Sequence, residues 1–125
     1  MRTDKFTVKL QEALQDTISL ATEYGHQQVE PEHLFISLLR QDEGIVAPIM
    51  DKLGIQTVYL IKLIEEDLRK KPSISGANAQ VYFSGRMNKL LASASKEAQG
   101  LKDDFISGEH ILLAILTDTR QPPHH

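Results

Sequence analysis

Apolar and small side chains recur at steps of three and four residues along most of this chain, which is the period of an α-helix. In the first such stretch these positions are Leu10, Ala13, Leu14, Thr17, Ala21 and Tyr24. The same spacing predicts helices over residues 7–24, 31–41, 45–53, 57–70, 84–102 and 107–118. Strict alternation of apolar and polar residues is absent, and residues 81–83 have strand-like composition but are too short to carry a sheet. The pattern therefore predicts an all-α fold.

Residues with strong positional preferences mark the predicted helix ends. Thr7, Ser84 and Ser107 each directly precede a predicted helix, at the N-cap position. Serine and threonine are favoured there because their hydroxyl oxygens accept hydrogen bonds from the exposed backbone N–H groups of the first turn. Pro31 suits the first position of the second helix. Gly25 follows the first helix, where a left-handed residue commonly ends a helix.

The strongest internal signal is a repeat. A shift that places Phe6 on Phe83 also places Leu14 on Leu91 and Ala21 on Ala98, without a gap. The same shift of 77 residues overlays Glu32-His33 on Glu109-His110. Two copies of one helical unit would preserve such caps and core positions. The prediction is a pseudo-two-fold tandem helical repeat with a groove between the copies.

The second copy is shorter than the first, so the second repeat reads as truncated. One domain is expected over residues 1–118, with repeat one at 5–70, a Pro-, Ser- and Gly-rich connector at 71–82 and repeat two at 83–118. Residues 119–125 read as a disordered tail or tag remnant. Because the third and fourth helices have no counterparts, the faces around Leu90, Leu91, Ile111 and Leu112 should be partly bare unless helices of the first repeat, the connector or another molecule cover them.

Composition narrows the function classes. The 125 residues include 41% hydrophobic and 25% charged residues, carry a net charge of −3 and lack cysteine. A structural disulfide, a thiolate metal site and a cysteine nucleophile are therefore excluded. The sequence has no concentrated run of basic residues, so nucleic-acid binding is not expected. No apolar run approaches the roughly 20 residues that span a bilayer. A soluble, cytoplasmic protein is expected.

Two common catalytic motifs are absent from the sequence. The sequence contains neither the G-x-x-x-x-G-K-[ST] phosphate loop nor the G-x-S-x-G nucleophile motif. His33 and His110 each follow a glutamate, which is compatible with a metal site and a metal-dependent enzyme. Their equivalent places in the two repeats favour a structural role, with the glutamate near the positive end of a helix and the histidine packed behind it. No metal ligand is assigned.

Three segments resemble the Clp N-terminal repeat domain, in the right order: Phe6 to Leu14, Gly25 to Leu34 and Asp42 to Ile49. The resemblance covers residues 1–118 and is nearest to the ClpB type, the hexameric AAA+ disaggregases. It implies a non-catalytic module that binds unfolded or aggregated polypeptide and passes it to an ATPase ring. ATP and magnesium would belong to AAA+ modules absent from this chain, and the Hsp70 system would be a partner of the full-length chaperone.

The repeat and the resemblance together select five candidate substrate-binding residues. Thr7 with Ser84, and Glu32 with Glu109, form two symmetric pairs expected to flank the inter-repeat groove. Asp103 matches an acidic position of ClpB-type domains. The simpler interpretation is that they are helix caps and solvated charges. An alternative function is adaptor docking, or the phosphoarginine binding that the resemblance implies for ClpC-type domains.

Overall fold

The computed structural model describes residues 5–74 and 80–120, with side chains given up to residue 117. In this part of the chain there are six α-helices and two short strands. Their bounds are α1 Val8–Glu23, β1 Gln28–Val29, α2 Pro31–Arg40, α3 Val46–Lys52, α4 Thr57–Arg69, β2 Tyr82–Phe83, α5 Gly85–Gly100 and α6 Gly108–Arg120. Each helix falls within a few residues of its predicted range, which confirms the all-α fold. The predicted tail lies largely outside the described residues, as do connector positions 75–79.

Two of the three predicted N-caps make the expected hydrogen bond, whereas Ser107 Oγ lies 3.1 Å from Nδ1 of His110. Thr7 Oγ1 accepts from Leu10 N at 3.2 Å, and Ser84 Oγ accepts from Met87 N at 3.0 Å. Gly25 has a φ of 72°, so it lies in the left-handed region. A Cβ at that position would lie 2.3 Å from Ser73 Oγ, which shows how closely the connector approaches. Glycine is favoured there by the backbone conformation, and a Cβ would also force the Ser73 side chain to move.

The two repeats exchange backbone hydrogen bonds, a feature that the sequence did not reveal. Tyr82–Phe83 pairs in parallel with Gln28–Val29, and an isolated bridge joins Phe6 to Ile106. These pairings are equivalent under the 77-residue shift, since each joins the segment before the first helix of one repeat to the segment before the second helix of the other. The segment 81–83 therefore does pair, although only over two residues. This exchange makes the two repeats one unit.

Of the three expected ways to cover the second repeat, packing against the first repeat is the one observed. Leu90, Leu91, Ile111 and Leu112 are all buried, with at most 8% of their surface exposed. They belong to one core cluster that also contains Leu10, Leu34 and Val46 of the first repeat. Helix α6 packs against α5 and also contacts α3, so the second repeat covers its apolar face with helices of the first. In α6, by contrast, the side chain of Leu116 is 43% exposed.

Candidate functional site: an axial groove between the repeats

A groove of about 360 Å³ lies between α1 and α5. Its lining includes three pairs of residues that the repeat makes equivalent: Phe6 with Phe83, Gln11 with Asn88 and Leu14 with Leu91; Gln15 and Ile18 complete it. Because both members of each pair line the groove, it lies on the pseudo-two-fold axis. We call it the axial groove. The inter-repeat groove predicted from the sequence is thus present.

The chemistry of the axial groove is apolar with amide groups. Phe6, Leu14 and Leu91 are buried and form its base, while Ile18 is 41% exposed. The Gln11 side-chain amide donates to Phe6 O at 3.0 Å, which ties α1 to the residue before it. The side chains lining the groove are not ionisable. Such a surface offers apolar contact and hydrogen bonds to amides, without charge selection.

None of the five sequence-selected residues is among those that line this groove. Thr7 and Ser84 directly follow Phe6 and Phe83 and cap the two helices that wall the groove. Ser84 Oγ also donates to Glu30 Oε1 at 2.6 Å. The two hydroxyls therefore fix the position of the groove walls. Their predicted direct contact with substrate stays a prediction.

The two paired glutamates occupy equivalent places but have different surroundings. Glu32 faces Arg86, whose guanidinium lies 3.4 Å from its carboxylate and 3.5 Å from that of Glu30. Glu109 is exposed and, within the described part of the chain, no hydrogen bond or ion pair involves its side chain. The sequence shows Lys9 where the second repeat has Arg86, but only the structure shows that Lys9 has a partner other than Glu109. Lys9 instead donates to Asp42 O at 2.8 Å.

Asp103 has an intramolecular partner. Its Oδ2 lies 2.8 Å from Nε2 of His110, and Nδ1 of His110 accepts from Ser107 N at 2.9 Å. In the first repeat Nδ1 of His33 accepts from Glu30 N at 2.9 Å, and its Nε2 lies 2.9 Å from Nδ1 of His26. Each buried histidine thus closes the start of a helix, as the structural interpretation expected. Among the described residues, no group of three or more His, Asp or Glu side chains is placed to hold a metal ion.

The two histidines of the first repeat have lowered pKa values. Burial and, to a smaller extent, the neighbouring His26 together lower the pKa of His33 to about 4. Burial also lowers the pKa of His26, with Lys71 acting in the same direction. His33 is therefore neutral at physiological pH. Its proton lies on Nε2, since Nδ1 is the acceptor of a backbone N–H.

Comparison with known proteins places the chain in a family. The Clp repeat (R) N-terminal domain matches residues 5–124. The chain therefore belongs to the family of Clp N-terminal repeat domains, which are non-catalytic domains of AAA+ chaperones. Curated relatives include the chaperone protein ClpB of Nitratidesulfovibrio vulgaris and that of Bacillus anthracis, each 38% identical over 117 residues. These alignments cover 91% of this chain but only 14% of either relative.

Solved structures show the same fold. The Hsp104 N-terminal domain of Candida albicans superposes with a TM-score of 0.81 at 22% identity, covering 92% of this chain and 75% of the other. A ClpV N-domain in complex with a VipB peptide has a TM-score of 0.76 at 22% identity, covering 93% and 70%. Within residues 5–74 and 80–120, no helix is both long and apolar enough to cross a membrane.

Proposed function

We propose that this domain captures unfolded or aggregated polypeptide in the axial groove, as the substrate-recognition domain of a ClpB-type disaggregase. The observation that carries the proposal is the lining of the groove, which combines an apolar base with side-chain amides and no ionisable group. Unfolded chains expose apolar side chains and unpaired backbone N–H and C=O groups together. Both kinds of group find partners in such a groove.

The size of the groove is consistent with weak and general capture. Its volume of about 360 Å³ is near the lower end of the range for ligand sites, roughly 300–1,000 Å³. It therefore takes a short segment with few apolar side chains. Weak binding suits a domain that must release its substrate to the next module. Gln15 and Asn88 amides each offer both donors and acceptors, so they do not select for sequence.

The relationship to ClpB chaperones supports this assignment and extends it to the whole protein. Since this chain spans about 14% of the length of those relatives, the remaining functions belong to other modules. In this proposal, AAA+ modules that bind ATP and magnesium assemble as a hexamer in the cytoplasm. They receive the polypeptide from the groove and cooperate with the Hsp70 system.

A pair of matched variants tests the groove. Ile18→Ser removes an apolar side chain from the groove, and Val8→Ser makes the same change on the same helix outside it, where Val8 is 71% exposed. Binding of a fluorescent, permanently unfolded casein-like chain is measured by anisotropy, with a folded protein of similar size as a reference. Loss of about 1 kcal/mol of apolar burial predicts roughly five-fold weaker binding for Ile18→Ser alone. Equal affinities for the two variants at unchanged melting temperature would disprove binding in the axial groove.

Adaptor docking is a second candidate, favoured by Glu109. Its equivalent, Glu32, holds the Arg86 guanidinium, whereas the exposed Glu109 carboxylate has no such partner in the described part of the chain. An arginine or phosphoarginine side chain of a folded adaptor can supply it. The structural relative solved with a VipB peptide shows that a domain of this fold binds a peptide of a partner protein.

The second candidate has its own test. Glu109→Gln is compared with the native chain in binding to peptides that carry arginine, phosphoarginine or citrulline at one position. Binding that depends on a guanidinium and falls several-fold in Glu109→Gln supports adaptor docking. Equal binding to the three peptides would contradict adaptor docking through Glu109. Binding of the unfolded casein-like chain in the axial groove should be unchanged in Glu109→Gln.

A further inference from the structure

A serine, a histidine and an aspartate meet at the start of α6. Ser107 Oγ lies 3.1 Å from Nδ1 of His110, and Nε2 of His110 lies 2.8 Å from Oδ2 of Asp103. Because Nδ1 accepts from Ser107 N at 2.9 Å, the ring proton lies on Nε2 and points at the carboxylate. The Ser107 hydroxyl therefore donates to Nδ1. A nucleophile, a base and a carboxylate that orients the base are arranged in the order that activates a serine.

Ser107 also lines a pocket of about 230 Å³, which we call the serine pocket. Leu10, Leu38 and Val46 supply apolar parts of its lining, and it shares no residue with the axial groove. Ser107 is half-buried, whereas His110 is 2% exposed and is held by the core. The volume lies below the roughly 300–1,000 Å³ of typical ligand sites, so the pocket takes only a short aliphatic group.

The residue after the serine offers a donor for negative charge. Gly108 lines the same pocket, and its backbone N–H makes no hydrogen bond to any residue that the structure describes. This N–H is the first of α6 and lies at the positive end of the helix dipole. In α/β-hydrolases the backbone N–H directly after the nucleophile stabilises the oxyanion that forms during acyl transfer. Gly108 is placed to do the same for Ser107.

Helix capping does not account for this arrangement. Ser84 Oγ accepts from a backbone N–H of its own helix, whereas the hydrogen bond of Ser107 Oγ within the described residues is the one to His110. In the first repeat, His33 closes the start of α2 by accepting from Glu30 N at 2.9 Å, without any hydroxyl. A histidine that closes a helix therefore needs no serine beside it.

The first repeat lacks the other parts as well. Under the 77-residue shift, Asp103 corresponds to His26 and Gly108 to Pro31. Proline has no backbone N–H, so the donor for an oxyanion is missing there. The three groups that acyl transfer requires occur together in the second repeat alone, within the described part of the two repeats.

We propose that Ser107 is a reactive nucleophile that accepts a short acyl group from a thioester. In this step Ser107 Oγ forms a bond to the carbonyl carbon and the carbon–sulfur bond of the thioester breaks. The hydroxyl proton passes through Nδ1 of His110 to the leaving thiolate, which departs as a thiol. The Gly108 N–H stabilises the tetrahedral oxyanion, and the acyl chain lies in the serine pocket.

The acylated chain should persist instead of being hydrolysed. Nδ1 of His110 accepts from the Ser107 backbone N–H as well as from the hydroxyl. The shared lone pair is a weaker base than that of a dedicated hydrolase, and the backbone N–H still occupies it once the hydroxyl is esterified. It is therefore not free to activate water. We expect stoichiometric modification without turnover, separate from the function proposed for the axial groove.

The first experiment treats the 125-residue chain with the acetyl thioester of N-acetylcysteamine. Because the chain has no cysteine, all thiol that forms comes from the donor and is measured with a chromogenic disulfide. Peptide mass spectrometry locates the acetyl group. We expect it on Ser107 and not on Ser84, the helix-start serine whose hydroxyl donates to a Glu30 carboxylate oxygen. Ser107→Ala should retain only the slow background reaction of lysines, and a dodecanoyl thioester, too long for the pocket, should react more slowly than the acetyl donor.

Two variants at Gly108 form a matched pair. Gly108→Ala and Gly108→Pro both add a Cβ, which would lie 3.3 Å from Val46 Cγ2, but only proline removes the N–H. Proline is accepted at the first position of a helix, as Pro31 shows in the first repeat. We expect Ser107 to be acylated about ten-fold more slowly in Gly108→Pro than in Gly108→Ala. Melting temperatures of both variants confirm that each is folded.

Asp103 is a positioning residue, and the tautomer of His110 tests its role. Asp103→Asn replaces the carboxylate by an amide, which holds the proton on Nε2 less strongly. We expect acylation of Ser107 to fall at least about ten-fold. The 15N shifts of the His110 ring should show a larger fraction of the Nδ1-protonated form in the folded variant. A purely structural contact would change the melting temperature and leave the tautomer as it is.

Three results would overturn the proposal. One is acetylation of Ser107 that is no faster than that of Ser84. Another is thiol release that is the same in Ser107→Ala as in the native chain. The third is equal acylation in the two Gly108 variants. None of these results changes binding of the unfolded casein-like chain, so failure of this site is distinct from failure of the axial groove.

Discussion

His110 Nε2 lies 2.8 Å from Asp103 Oδ2 and donates its hydrogen to that carboxylate. Under the 77-residue shift, these two residues correspond to His33 and His26, so one repeat joins imidazole to carboxylate and the other joins imidazole to imidazole. An imidazolium is favoured by a neighbouring carboxylate and disfavoured by a second imidazole that is itself buried. The same scaffold therefore presents two histidine sites with different electrostatic surroundings.

This difference predicts how stability depends on pH. Since the pKa of His33 is lowered to about 4 in the folded state, the unfolded state binds the proton first as the pH falls. The contribution of neutral His33 is fully present above the unfolded value of about 6.5 and is lost between there and about pH 4. The expected loss is roughly 3 kcal/mol of unfolding free energy over that window, measured by urea unfolding at several pH values.

The His26→Asp variant should reduce this loss, because it gives His33 the kind of partner that His110 already has. We expect the pKa of His33 to rise and the difference in stability between pH 7 and pH 4.5 to shrink. NMR titration of the His33 ring measures the pKa, and Asp103→Asn serves as a control that leaves the first repeat unchanged. A native His33 that titrates near 6.5 would contradict the prediction.

The two helix caps should differ in their contribution to stability. Thr7→Ala removes one cap bond and should cost about 1 kcal/mol. Ser84→Ala removes a cap bond and also the 2.6 Å hydrogen bond to the Glu30 carboxylate, which adds about 1.5–3 kcal/mol. Urea unfolding followed by circular dichroism measures both. Ser84→Thr keeps the hydroxyl and should recover most of the loss; equal costs for the two alanine variants would show that the Glu30 contact contributes nothing.

Two equivalent backbone positions give opposite predictions. Gly25 has a φ of 72° and its counterpart Lys102 a φ of 59°. Lys102→Gly relieves a left-handed lysine at an exposed position and should stabilise the chain by about 1 kcal/mol. Gly25→Ala should destabilise it by more, since the new Cβ also meets Ser73 Oγ. Melting temperatures of the two variants test this pair; a stabilised Gly25→Ala would refute the conformational argument.

The isolated chain should not hydrolyse ATP, because the sequence has no phosphate loop to hold the nucleotide. Release of phosphate measures hydrolysis and a fluorescent ATP analogue measures nucleotide binding, with buffer alone as the background. Turnover that copurifies with the folded domain and survives a second purification step would contradict a non-catalytic role.

The sequence by itself determined the helices and the repeat. Helical periodicity, the caps Thr7 and Ser84 and the left-handed Gly25 are local properties, because each depends on neighbours within one helical turn. The overlay of Phe6 on Phe83 then followed from equal spacing. These features were enough to predict the fold and the presence of a groove on the axis.

The tertiary structure decided which residues line the groove and what covers the second repeat. The pairing of Phe6 with Ile106 and of Phe83 with Val29 joins segments about 50 to 100 residues apart, and local periodicity carries no information on such contacts. The same is true of Asp103, whose carboxylate is held by His110 on the following helix. Leu90 and Ile111 are buried because α6 contacts α3 of the other repeat. The hydrophobic effect has no preferred direction, so helices from either repeat could cover the apolar surface of α6. Only the packed structure shows which helices cover it.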